Sequence, residues 1–118
     1  MTPVDLKKRT KEFALRVIKV TQSLEGDWIS RTMGHQLLRC GTSVGANYRA
    51  ASRARSPAEF RSKMGIVLEE ADESAYWMEL LVDSQIVSEP KLKSLLQEAN
   101  ELVAISVASI NTSRRNSK

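Results

Sequence analysis

Apolar residues recur along most of the chain with a period near three and a half. Leu6, Thr10, Phe13, Val17, Val20 and Leu24 follow at spacings of 4, 3, 4, 3 and 4, which places them on one helical face. Thr2 can cap this first helix, Pro3 suits a position whose N–H is not needed, and Asp5 favours the positive N-terminal end. Glu25-Gly26-Asp27 ends it, Gly26 being able to take a left-handed conformation. A second helix is predicted from Asp27 or Ser30 to Arg53, with Met33, Leu37, Cys40, Val44, Asn47 or Tyr48, and Ala51 on its stripe. Gly34, Gly41 and Gly45 lie inside it, and each weakens a helix by about 1 kcal/mol relative to Ala. Their presence calls for the close approach of another backbone or, failing that, a bend.

Ser56-Pro57-Ala58-Glu59 reads as a capping box opening a third helix. Phe60, Met64, Val67, Ala71, Ser74, Met78 and Leu81 form its stripe, widened by Leu68, Ala75 and Val82, and it should end near Ser84 or Gln85. Ser88-Glu89-Pro90 starts the fourth, whose broad apolar face includes Leu92, Leu95, Leu96, Ala99, Leu102, Val103, Ser106, Val107 and Ile110. Beyond Asn111 the chain turns polar and basic and is expected to fray. No stretch alternates with period two long enough for a strand. The predicted fold is all-α, an antiparallel up-down-up-down four-helix bundle over residues 1–112 with a basic tail over 113–118.

A second line runs along the third helix. Ile66, Glu70, Glu73, Trp77 and Leu80 recur at spacings of 4, 3, 4 and 3, away from the Met64/Ala71/Met78 line. An exposed strip of Ile66, Trp77 and Leu80 would be a liability on a monomer, so these residues are expected at a subunit interface.

Composition narrows the chemistry. Among 118 residues there is one cysteine, Cys40, and one histidine, His35. That excludes an intrachain disulfide framework, a multi-cysteine zinc site and a His-rich metal site. No apolar run approaches the ~20 residues of a membrane span. Lys7, Lys8, Arg9, Lys11 and Glu12 interrupt any signal-peptide core, so a cytoplasmic protein is expected. The net charge of +4 conceals an asymmetry: residues 1–56 carry eleven Lys/Arg against four Asp/Glu, and residues 57–118 carry seven against ten. The basic half suits a polyanion or an acidic partner surface, unless the acidic half balances it internally.

The second helix carries a basic line, Arg39, Ala46, Arg49 and Arg53, at spacings of 7, 3 and 4, with Arg55 and Arg61 flanking the turn beyond. Guanidinium groups pair with carboxylates or phosphates through parallel hydrogen bonds. Arg39 and Arg49 are expected to form structural ion pairs with Glu70 and Glu73, with Glu69 also near. Arg53, Arg55 and Arg61 cluster at one end and are the candidates for nucleic-acid phosphates. Base stacking and sequence preference are not expected at that cluster.

Enzymatic readings fare poorly. A di-iron bundle site requires Glu-x-x-His pairs, and no histidine stands at that spacing from Glu70 or Glu73. A helical ribonuclease pairs an Arg and a His separated by four to six residues, whereas Arg31 and His35 have three between them. Cys40 lies on the core stripe and reads as a small hydrophobe. Asn47 reads as a structural polar residue. No catalytic residue, metal or cofactor is expected.

The blocks Gln36-Leu37-Leu38-Arg39, Gly41-Thr42-Ser43-Val44-Gly45-Ala46-Asn47-Tyr48-Arg49-Ala50, Arg53-Ala54-Arg55-Ser56, Glu59-Phe60, Glu70-Ala71-Asp72-Glu73-Ser74 and Trp77-Met78-Glu79-Leu80-Leu81, in this order, carry a family resemblance. Over about residues 6–112 the chain resembles the bacterial four-helix bundle proteins named for open reading frames in intervening sequences of 23S ribosomal RNA. Where many of those relatives have Pro, this chain has Gly45. The resemblance implies an up-down-up-down bundle and a ring-shaped homopentamer. It also implies kinship with the accessory variability protein of diversity-generating retroelements, a basic pentamer that binds nucleic acid and a reverse transcriptase. The family name reflects genomic location and leaves function open. Together these readings point to a non-enzymatic oligomeric protein that binds RNA or DNA phosphates, or acts as an adaptor. The alternatives are an assembly protein that docks a protein partner without nucleic acid and, last, a small helical ribonuclease.

Overall fold

The structure, a computed structural model, describes residues 2–24 and 26–116. Four helices follow in order: α1 Pro3–Ser23, α2 Trp28–Ser52, α3 Pro57–Asp83 and α4 Glu89–Asn116. No strand occurs among the described residues. Short connections turn each helix back on its predecessor, giving a rod of 51 × 20 × 20 Å. Consecutive helices pack extensively, while α1 and α4 touch sparingly.

The stripes meet along the axis. Phe13 and Val17 of α1, Leu37 and Val44 of α2, Met64, Val67, Met78 and Leu81 of α3, and Leu92 and Leu102 of α4 are fully buried. Each such side chain contributes roughly 1.5–3 kcal/mol of burial. The glycines of α2 let α1 approach. A Cβ on Gly41 would lie 2.8 Å from both Val17 methyl carbons, and one on Gly45 would lie 3.5 Å from the Thr10 carbonyl. The close approach of the Val17 side chain thus accounts for glycine at Gly41, whereas at Gly45 an added Cβ would make only ordinary van der Waals contact with Thr10.

Local signals set the helix ends. Thr2 Oγ1 accepts the Asp5 N–H at 3.2 Å and Asp5 Oδ2 accepts the Thr2 N–H at 3.2 Å, a reciprocal capping box. Asp27 Oδ1 accepts the Ser30 N–H at 3.0 Å, and Gly26 supplies the left-handed turn with φ 109°. Ser56 Oγ accepts the Glu59 N–H at 3.0 Å. The expected reciprocal bond is displaced by one residue, because Glu59 Oε2 instead accepts the Arg55 N–H at 3.3 Å. Gln85, at φ 66°, ends α3.

One end differs from expectation. α4 stays helical past Asn111 as far as Asn116. Arg114 and Arg115 lie in its last turn, where cations complement the negative helix end. Arg61 Nη1 donates to Ser113 Oγ at 3.2 Å, and Arg115 Nη2 donates to Thr112 Oγ1 at 3.2 Å. Polar ties replace the apolar stripe there.

The sparse α1–α4 seam is also held by polar bonds. Arg9 donates from Nε to Glu98 Oε2 at 2.6 Å, and from Nη2 to Glu98 Oε1 at 2.7 Å and Glu101 Oε1 at 2.8 Å. This two-point grip holds the guanidinium still more firmly protonated than usual. Arg16 Nη2 adds a bond to Ser94 Oγ at 2.9 Å.

Candidate nucleic-acid interface

The C-terminus of α2, the N-terminus of α3 and the C-terminus of α4 converge at one end of the rod. Arg53 closes α2, its N–H bonding to the Ala50 carbonyl at 3.2 Å. Arg55 follows in the turn, immediately before the Ser56 cap, because Pro57 must start the next helix. Arg53 and Arg55 are exposed, and neither makes an ion pair among the described residues. Arg61, one turn into α3, is half-buried and reaches across to Ser113 of α4. That bond carries Arg114 and Arg115 to the same end. Tyr48 Oη donates to the Pro3 carbonyl at 3.3 Å, which brings the start of α1, with Lys7 and Lys8, there as well.

Between α3 and α4 at this end lies an open groove of about 930 Å³. Ala54, Arg55, Pro57 and Phe60 line it from one side, and Ile105, Ala108, Ser109 and Thr112 from the other. Phe60, which stands next to Arg61 in the sequence, shares this groove with Arg55, so the cluster does hold an aromatic residue and the expectation against base stacking loses its ground. Only the opposite wall lacks a local signal, because the seam joins residues some fifty apart in the chain.

The two arginines expected in ion pairs part company. Arg39 Nη1 donates to Glu70 Oε2 at 3.4 Å, and its Nη2 donates to Glu73 Oε2, tying α2 to α3. Glu73 Oε2 also accepts the Trp77 Nε1–H at 3.1 Å. Burial lifts the Glu70 carboxyl above its ordinary range, against the opposing pull of Arg39. Arg49 is exposed with no ion pair among the described residues, one turn before Arg53 and on its face. It stands with the end cluster.

Ile66, Trp77 and Leu80 are all half-buried. Trp77 and Leu80 pack in part against their own core. Tyr76 is more exposed, at 54%, and meets the Trp77 ring edge-on at 5.5 Å. Tyr76 falls outside the stripe predicted from the sequence because it lies about 100° round the helix from Trp77.

His35 is exposed on α2. Cys40 is buried, accepts a 3.3 Å bond from Ser74 Oγ, and has its thiol pushed up by burial, the opposite of nucleophile activation. Asn47 is half-buried and donates to the Ser43 carbonyl at 2.9 Å within its own helix. Among the described residues no three or more His, Cys, Asp or Glu side chains gather where they would hold a metal ion. No helix of the described residues is long and apolar enough to cross a membrane.

Comparison with known proteins agrees with the fold. No curated protein matches the chain. A solved structure from Bacteroides thetaiotaomicron VPI-5482, described as a protein with unknown function from the S23 ribosomal protein family, is 34% identical. The alignment covers 89% of this chain and 97% of that one, with a TM-score of 0.83. Neither that protein nor the matching family model indicates an enzymatic activity. The model for the 23S rRNA-intervening sequence protein matches residues 3–108, and the chain belongs to that family.

Proposed function

We propose that this protein is a non-enzymatic, cytoplasmic homo-oligomer that binds nucleic acid through its phosphates at the basic end of the bundle. One observation carries the reading. Arg53 and Arg55 project from the α2–α3 turn without carboxylate partners among the described residues, while the acidic residues facing α2 are engaged by Arg39. The basic half is thus not internally neutralised where it matters. Arg61 flanks the turn, and Arg49, Arg114 and Arg115 add charge at the same end. Exposed guanidinium groups grip phosphate oxygens in bidentate fashion and carry no base information.

Oligomerisation belongs to the same reading. The strip of Ile66, Trp77 and Leu80 is the proposed contact between copies, and the family resemblance implies a ring of five. A ring repeats the arginine cluster in every subunit, so weak single contacts sum by multivalency.

The test is binding of labelled mixed-sequence RNA and DNA by wild type and by the triple variant Arg53→Glu, Arg55→Glu, Arg61→Glu. The reading expects wild type to bind both and the variant to lose binding to both. Equal binding by the variant rejects this site. No binding by wild type at low salt rejects nucleic acid and favours the protein adaptor.

A further inference from the structure

We propose that the groove beside these arginines receives an unstacked nucleobase, so that the protein prefers single-stranded nucleic acid to duplex. The inference rests on the phosphate reading above and names its ligand class more narrowly.

A single strand alternates a flat, largely apolar base with an anionic phosphate. The end of the bundle offers the same alternation: Phe60, Pro57 and Ile105 line an open groove, and Arg55 lies on the same wall. The groove, at about 930 Å³, has ample room for a base. A duplex keeps its bases stacked and paired, so its backbone meets the arginines but nothing enters the groove. Base–aromatic stacking is sequence-tolerant because every base has a π-face. This supplies affinity without a sequence code.

An acidic amphipathic helix from a partner protein is the competing occupant, since it too would satisfy an apolar floor with a basic neighbour. The polar lining decides against it. Ser109 and Asn116 line the groove and make no side-chain hydrogen bond among the described residues. The apolar face of a helix would bury them unsatisfied, at a cost. The donors and acceptors on a base edge satisfy them.

The experiment compares a fluorescein-labelled mixed-sequence 12-mer RNA, alone and annealed to its complement, on wild type and on Ala108→Leu, which fills the groove without adding an aromatic face. Ala108 is exposed on α4 and lines the groove, so the substitution fills it without touching the core. Ser109→Leu serves as a second blocking variant, and circular dichroism checks that each stays helical. The expected result is single-strand binding tighter than duplex in wild type. Each blocking variant should lose about tenfold or more of single-strand affinity, the worth of roughly one stacked base, with duplex affinity unchanged. Equal single-strand and duplex affinity, or blocking variants that bind the single strand as wild type does, overturns the inference. If binding then still disappears in the triple arginine variant, the phosphate reading survives alone. Wild type that captures an acidic amphipathic peptide but no single strand overturns both.

Discussion

Gly41 of α2 and Val17 of α1 stand so close that a methyl group on the glycine would reach both valine methyl carbons at 2.8 Å. That distance is below ordinary van der Waals contact, and Val17 is fully buried with no room to retreat. The α1–α2 seam is set by this contact. Gly41→Ala should therefore destabilise the protein by about 1–3 kcal/mol despite the better helix propensity of Ala. Gly65 of α3 has no heavy atom within 4 Å of an added Cβ. Gly65→Ala should stabilise by up to about 1 kcal/mol. Denaturant unfolding of both variants checks the pair, and changes of the same sign contradict the packing account.

Asp27 caps α2, and its bonds from Ser30 hold its carboxyl below its usual range. With a folded pKa below the unfolded value, its contribution is present above the unfolded pKa near 3.8 and is lost as pH falls through the folded one. Asp27→Ala should lower Tm at neutral pH. Asp27→Asn keeps a good cap but removes the titration. Thermal melts between pH 7 and pH 2.5 should show a shallower acid loss for the Asn variant than for wild type. Parallel curves would mean the cap adds nothing to acid sensitivity.

Trp77 and Tyr76 form an edge-on pair next to the Arg39 ion pairs, on the helix that also carries Ile66 and Leu80. If this strip is the contact between copies, Trp77→Lys places a charge in it and should give smaller particles by light scattering at micromolar concentration. Tyr76→Lys tests the adjoining face, from an exposed residue whose ring meets that of Trp77 edge-on. A wild-type mass equal to one chain contradicts the interface.

The helices and most caps were legible in the sequence because their causes are local. The 4-3 spacing of apolar residues, Thr2 with Asp5, and Ser56 with Pro57 act within one or two turns. The helical continuation to Asn116 was not legible, because composition there is polar and its support from Arg61 comes from another helix. The Arg9–Glu98 clamp was missed for the same reason: its partners lie at opposite ends of the chain and show no spacing. Arg53 and Arg55 could be picked out as neighbours in sequence. Phe60 lies within the same stretch of sequence and could have been picked out with them, whereas their convergence with Ile105 and Arg115 depends on how α3 and α4 pair, which no periodicity encodes.

The most direct test of phosphate recognition is the salt dependence of binding. Each phosphate contact releases counterions, so log affinity falls by ~0.9 per contact per tenfold rise in salt on duplex DNA and by ~0.7 on single strands. Wild type and Arg53→Gln, Arg55→Gln should be titrated with mixed-sequence nucleic acid across a salt series. Phosphate recognition by these arginines predicts a steep wild-type slope that becomes shallower in the double variant, by about one contact for each arginine that meets a phosphate in each bound subunit. A wild-type slope near zero, or the same slope in the variant, would contradict it.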